Sequence, residues 1–124
     1  KNDLLELILS TFDKSLKNKK ISWVKEPAIT IVAASKGYPG DYLKNIEIKN
    51  IEDIKSTKLN QLFHAGTKKN LNGKLVSSGG RVLNATVVDQ SLQEARNIAL
   101  KMLDDLDWKN KYYRRDIGFK ILDK

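Results

Sequence analysis

Cysteine is absent from this 124-residue chain, and histidine and methionine occur once each. Without a thiol there is no disulfide, no thiolate metal site and no cysteine nucleophile. His64 alone excludes a histidine-built zinc cluster within the chain, and no Ser-His-Asp arrangement presents itself around it. No apolar run approaches the roughly 20 residues of a membrane helix. The first segment mixes acids among its leucines and lacks a small-residue cleavage site, so it does not read as a signal peptide; a cytoplasmic location fits. No Walker-type phosphate loop occurs, because neither "SKGYPG" nor "SSGGR" has the required spacing or the Lys-Ser/Thr pair. Neighbouring carboxylates occur only at Glu52-Asp53 and at 104 to 107. Each group lies along one element, whereas a metal cage draws ligands from several. They read as solvated faces, and the chain holds no means of running a reaction unaided.

Arginine is also scarce: 4 residues, Arg81, Arg96, Arg114 and Arg115, against 19 lysines. A chain with that habit supplies lysine wherever charge alone is needed, so each arginine asks for a geometric reason. The net charge is +8, which raises the alternative of a stand-alone basic domain binding nucleic acid or another polyanion. The lysines, however, are spread along the chain, and aromatic residues do not interleave with them as stacking platforms would. A solvated, lysine-rich surface is the plainer reading, and a polyanion binder is expected to gather its lysines on one face.

The length suits one domain, and 40% hydrophobic residues suffice for a core. Lys1-Asn2-Asp3 opens the chain in place of an initiator methionine, as processing or excision from a longer polypeptide would leave it. Residues 3 to 17 carry Leu4, Ile8, Phe12 and Leu16 at helical spacing, with Leu5 and Leu9 widening the stripe and Asp3 as N-cap. "AITIVAAS", residues 28 to 35, reads as a buried strand between Pro27 and Gly37, and "SKGYPGDY" as a turn or open loop. "IEI" at 46 to 48 alternates like a short strand, and 51 to 55 resembles one helical turn. "NQLFHAG", 60 to 66, reads as a strand, "TKKNLNG" as a hairpin loop and "KLVSS" as its return strand. "RVLNATVV", 81 to 88, is a further strand. Ser91-Leu92-Gln93-Glu94 is a capping box that opens a helix to about 106, with Leu92, Ala95, Ile98, Ala99, Met102 and Leu106 on one face. Asp104, Asp105 and Asp107 at its end oppose the helix dipole, and local sequence offers no reason for them. No repeat, low-complexity run or long linker divides the chain.

The predicted hairpin 60 to 78 brings "HAGT" (64 to 67) and "SGGR" (78 to 81) together. Backbone N–H groups of Gly66, Gly79 and Gly80 can then face an anion, and Arg81 can grip its oxygens through two parallel bonds, which a lysine cannot. The plainer alternatives are a bulge or tight strand crossing at Gly79-Gly80 and a hydrogen-bonded structural role for His64.

"ASKGYPGDY" (34 to 42), "LFHAGT" (62 to 67), "GGRVLNAT" (79 to 86), "SLQEAR" (91 to 96) and "YYRRDIG" (112 to 118) follow in an order and spacing that resemble the C-terminal domain of the phosphoribosylamine–glycine ligase family, in the ATP-grasp superfamily. The match runs from about 21 to 122; each motif alone is weak, and the series is specific. The resemblance implies an α+β fold: a small, mainly antiparallel β sandwich or barrel of the rudimentary hybrid type, with the 91 to 106 helix packed on it. It implies residues 1 to 20 as a helix ending the ATP-grasp domain and 21 to 124 as the ligase C-terminal domain. The activity implied is the ATP-dependent joining of glycine to 5-phosphoribosylamine, through a glycyl phosphate, in de novo purine synthesis. ATP and Mg2+ (or Mn2+) would be held by upstream ATP-grasp and N-terminal domains, with no catalytic residue and no metal ligand in this segment. The partners implied are those domains and phosphoribosylamine, with no nucleic acid and no membrane. This domain would close the active site and help bind the phosphoribosyl group. The matching positions are His64, Gly66 and Thr67, then Gly79, Gly80 and Arg81; Lys68 stands where related purine enzymes place a lysine, and Ser35 and Tyr38 would line the cleft. A stand-alone regulatory or scaffolding domain of the same fold is a third reading.

Calorimetric titration of the chain alone with Mg-ATP should show no saturable heat, since phosphate loop and metal carboxylates are both missing; micromolar affinity would overturn this reading.

Overall fold

A computed structural model describes residues 1–122. The elements run α1 (Leu4–Phe12), β1 (Ala28–Ser35), β2 (Asn60–His64), β3 (Thr67–Lys69), β4 (Leu75–Ser77), β5 (Arg81–Val88), α2 (Leu92–Asp104), β6 (Lys111–Tyr112) and α3 (Phe119–Leu122). Short 3-10 turns occupy Leu16–Asn18 and Ile51–Asp53. Four strands form an antiparallel sheet in the order β2-β5-β1-β6, and β3 and β4 form a separate hairpin. The α+β class expected from the sequence holds.

Alternation along β1 creates the core. Ile29, Ile31 and Ala33 point to one face and are buried, while Thr30 and Val32 point to the other and are exposed. Leu83, Ala85 and Val87 of β5 share the buried face. The helix α2 covers it with Ala95, Ala99 and Leu103, each fully buried. Alanines at the contact let the helix axis lie close to the sheet. Ser91 caps α2 by accepting from the Glu94 N–H at 3.1 Å. Only this half of the expected capping box forms among the described residues.

The acids at the end of α2 find their explanation in the following chain. The Lys111 ammonium donates to the carbonyls of Leu103, Asp104 and Leu106 at 2.7, 2.8 and 2.6 Å. A cation thus sits at the negative end of the helix and satisfies its orphan carbonyls. With the dipole neutralised, Asp104 is free to receive the Tyr113 hydroxyl and the Arg115 guanidinium, and Asp105 pairs with Lys101 one turn earlier. Arg96 donates to the carbonyls of Ile117 (2.9 Å) and Arg115, fastening the C-terminal segment to α2.

Three sequence expectations need correction. The first helix does not reach residue 17: it ends at Phe12, because Lys14 adopts a left-handed conformation (φ 62°) that no helix continues through. Residues 46 to 48 form no strand; single bridges tie Glu47 to Val76 and Lys49 to Asp107. Residues 67 to 73 are not wholly loop, and β2 does not pair with "KLVSS". A tight turn, with the Thr67 N–H on the Ala65 carbonyl at 3.0 Å, separates β2 from β3. Strand β3 then pairs with β4, and β2 pairs with β5.

Burial, reinforced by the Asp104 carboxylate, pushes the Tyr113 phenol from its ordinary 10.0 up to about 12. The fold therefore holds the neutral phenol. Its contribution to stability is complete below pH 10 and is lost as pH rises through the interval to about 12. Denaturant titrations on both sides of pH 10 should show a steeper alkaline loss for the wild type than for Tyr113→Phe; parallel curves would mean the hydroxyl contributes nothing.

Candidate functional site

The pairing of β5 with β1 slips between Ala33 and Ala34: Ala33 faces Leu83, but Ala34 faces Arg81. Val82 is the extra residue of a β-bulge, and the consecutive burial of Val82 and Leu83 is its signature. In continuous register Ala34 would oppose Val82. The bulge instead sets Arg81 beside Ala34, on the sheet face that α2 leaves open.

Behind the bulge, three stretches of main chain meet with no room for side chains. The Gly66 N–H donates to the Arg81 carbonyl at 2.9 Å, and the N–H groups of Ser78 and Gly79 donate back to the Gly66 carbonyl at 2.7 and 3.3 Å. A Cβ on Gly66 would lie 2.6 Å from the Arg81 oxygen and 2.7 Å from the Gly79 Cα. Buried Ser35 closes the junction: its N–H donates to the Gly80 carbonyl at 2.7 Å and its hydroxyl to the Gly79 carbonyl at 3.0 Å. The ring of Tyr38 lies directly on Gly80, where a Cβ would come within 2.0 Å of Cδ2.

Around Arg81 two shallow cavities adjoin. One, of about 430 Å3, is lined by Val32, Tyr38, Ala65, Gly80, Arg81 and Asn84. Its neighbour, of about 270 Å3, shares Val32, Tyr38 and Arg81 and continues past Ala34 to Tyr112, Tyr113 and Arg114. The four arginines divide sharply here. Arg96 holds carbonyls, Arg114 pairs with Asp116 and Arg115 with Asp104. The guanidinium of Arg81 alone has no hydrogen-bond or ion-pair partner among the described residues, and it is exposed.

The expected site residues thus fall into groups. Arg81, Gly80 and Tyr38 line the cavity. Gly66 and Gly79 stand behind it, and their N–H groups are spent on the chain itself, so the expected three-donor cradle for an anion reduces to the Gly80 N–H, which meets no acceptor among the described residues. Ser35 lines neither of these two cavities; it is buried and struts the junction. His64 Nδ1 and the Thr67 hydroxyl are 3.0 Å apart at the exposed end of β2, and Lys68 projects from the hairpin into solvent. Of the two alternatives at Gly79-Gly80, the close main-chain crossing forms there, at Gly79 against Gly66, whereas the bulge lies further on, at Val82. Asn84, Val32 and Ala65 carry no mark in the sequence, because the approach of Arg81 to them depends on the bulge register. Among the described residues no three His, Cys, Asp or Glu side chains are grouped closely enough to hold a metal ion, so these residues offer no donor set for Mg2+. No helix among the described residues is long and apolar enough to cross a membrane.

A family model described as phosphoribosylglycinamide synthetase, C domain, matches residues 28–120. The phosphoribosylamine–glycine ligase of Caldanaerobacter subterraneus is 42% identical over 118 residues, covering 95% of this chain and 27% of the relative. That of Agrobacterium fabrum is 40% identical over 122 residues, covering 98% of this chain and 28% of the relative. The crystal structure of the phosphoribosylamine–glycine ligase from Thermotoga maritima superimposes with a TM-score of 0.66 at 28% identity, over 90% of this chain and 27% of that one. The chain therefore spans about a quarter of the length of the curated ligases it matches.

Gly66 and Gly80 should differ in what an added methyl costs. At Gly66 the clash is with backbone, which cannot yield without opening the junction; at Gly80 it is with the side chain of Tyr38, 39% exposed, which can yield by a side-chain rotation alone. Gly66→Ala should lose about 3 kcal/mol in urea unfolding and Gly80→Ala about 1 kcal/mol. Equal losses would show that Tyr38 is held as rigidly as the main chain.

Proposed function

This chain belongs to the family of phosphoribosylglycinamide synthetase C domains, and from that premise we propose that it is the segment of a phosphoribosylamine–glycine ligase that closes the active site over the phosphoribosyl substrate. The observation carrying the proposal is Arg81, the arginine whose guanidinium has no partner among the described residues, lining two adjoining cavities on the uncovered sheet face. A forked cation held ready but unpaired suits a phosphate, which it can bind through two parallel N–H···O bonds. The bulge orients it, the Gly66–Gly79 crossing fixes the bulge, and the Tyr38 ring walls the cavity. The Gly80 N–H is a further donor beside it.

The rest of the ligase, about three-quarters of its length by the relatives, would hold ATP and Mg2+, which activate the glycine carboxylate for attack by the amine. This segment's part is to bind and orient the amine's phosphoribosyl end and to exclude water from it. Residues 1–20 would complete the ATP-grasp domain. Consistent with that, Leu4, Leu5, Ile8, Leu9 and Phe12 of α1 lie exposed, and Ser10 is the helix's one buried residue; an apolar stripe of this size calls for a covering surface.

In the complete ligase, Arg81→Ala and Arg81→Lys should lower kcat/KM for phosphoribosylamine by roughly 10- to 150-fold, the loss of about 1.5–3 kcal/mol from a charge-assisted hydrogen bond. The KM values for ATP and glycine should stay nearly unchanged. Near-wild-type kcat/KM in the alanine variant would show Arg81 to be structural.

A further inference from the structure

Asn84 occupies the middle of β5, a strand with neighbours on both sides, and lies opposite Val32 of β1 and Phe63 of β2. Asparagine is depleted in strands, and between two apolar side chains its carboxamide improves neither packing nor pairing. The next polar position on the same face behaves differently: the hydroxyls of Thr86 and Thr30 satisfy each other at 2.9 Å. The Asn84 carboxamide, partly buried, makes no hydrogen bond among the described residues. It lines the 430 Å3 cavity together with Arg81.

The register sets the separation. Arg81 lies opposite Ala34 and Asn84 opposite Val32, two residues apart on β1, or roughly 7 Å along the strand. That is comparable to the reach of a pentose phosphate from its phosphate to its ring hydroxyls. A carboxamide presents a donor and an acceptor side by side, the complement of two vicinal hydroxyls, each able to give and to receive. We propose that Asn84 is a specificity-determining residue that reads the vicinal ribose hydroxyls of a sugar phosphate whose phosphate is held at Arg81. The inference rests on the assignment of Arg81 as the phosphate site. Val32, Tyr38 and Ala65 supply the apolar walls against which a sugar ring can lie.

The test uses the complete ligase and three competitors of phosphoribosylamine: inorganic phosphate, ribose 5-phosphate and 2,3-dideoxyribose 5-phosphate. The wild type should prefer ribose 5-phosphate over its dideoxy analogue by roughly 3- to 10-fold, the yield of one or two neutral hydrogen bonds. Asn84→Val, which favours the strand, should bring that ratio to about one while leaving inhibition by inorganic phosphate unchanged, a result that also reports an intact site. Asn84→Ala should behave likewise. Arg81→Ala should weaken all three competitors together. A wild-type ratio near one, or a ratio that survives Asn84→Val, overturns the role of Asn84. Inhibition by phosphate that is indifferent to Arg81→Ala overturns the phosphate assignment and this placement of the sugar with it, whereas a sugar ratio that survives Asn84→Val while Arg81→Ala still weakens phosphate overturns Asn84 alone.

Discussion

At Gly66 the main chain passes so close to Arg81 and Gly79 that a single methyl group would lie 2.6 Å from a carbonyl oxygen. This contact sets the shape of everything around it. Because the chain can cross there, β2 can leave the four-stranded sheet and return at once as β3 of the hairpin. Because the Gly66 carbonyl receives Ser78 and Gly79, the hairpin's second strand is delivered to the start of β5. The bulge then turns Arg81 toward the open face. Remove the close approach and the hairpin, the bulge and the arginine each lose their bearings.

The two faces of the sheet answer to different demands. One is filled by α2 through alanines and a leucine, and its side chains are spent on packing. The other keeps Val32, Phe63 and Tyr112 substantially exposed beside Arg81 and Asn84. A domain of this length has limited capacity to bury apolar surface. A sheet face and the stripe of α1 stay uncovered in this chain, and the ligases it matches are nearly four times as long.

Charge is handled locally, not as a field. Lys111 neutralises the end of α2, which allows Asp104 to be used for Tyr113 and Arg115. Burial alone would raise the Asp104 carboxyl, but the hydrogen bonds from Tyr113 and Arg115 outweigh it and hold the group below its usual value of 3.8. Three of the four arginines serve this kind of fastening, each on carbonyls or a carboxylate. That leaves Arg81 distinct by its lack of a partner among the described residues, not by its sequence surroundings alone.

Periodicity and punctuation in the sequence determined the long strands β1 and β5, the helix α2 with its serine cap and the place of an arginine beside open backbone, in agreement with the α+β class that the family resemblance implied. These follow from short-range rules: side-chain alternation, helical spacing, and glycine where a Cβ has no room. Strand partnership was decided only in three dimensions. Whether β2 pairs with β4 or β5 depends on a turn at Ala65–Gly66 and on a crossing between residues more than ten positions apart, and neither leaves a periodic trace. The same holds for the bulge at Val82, which sets Arg81 on the face that carries Asn84, while Ser35 is withdrawn into the junction behind it. The acids ending α2 looked unfavourable because their cation, Lys111, reaches them through a reversal of the chain. Propensity acts on neighbours in sequence, whereas these assignments rest on main-chain hydrogen bonds and excluded volume between distant segments, which only the folded chain brings into contact.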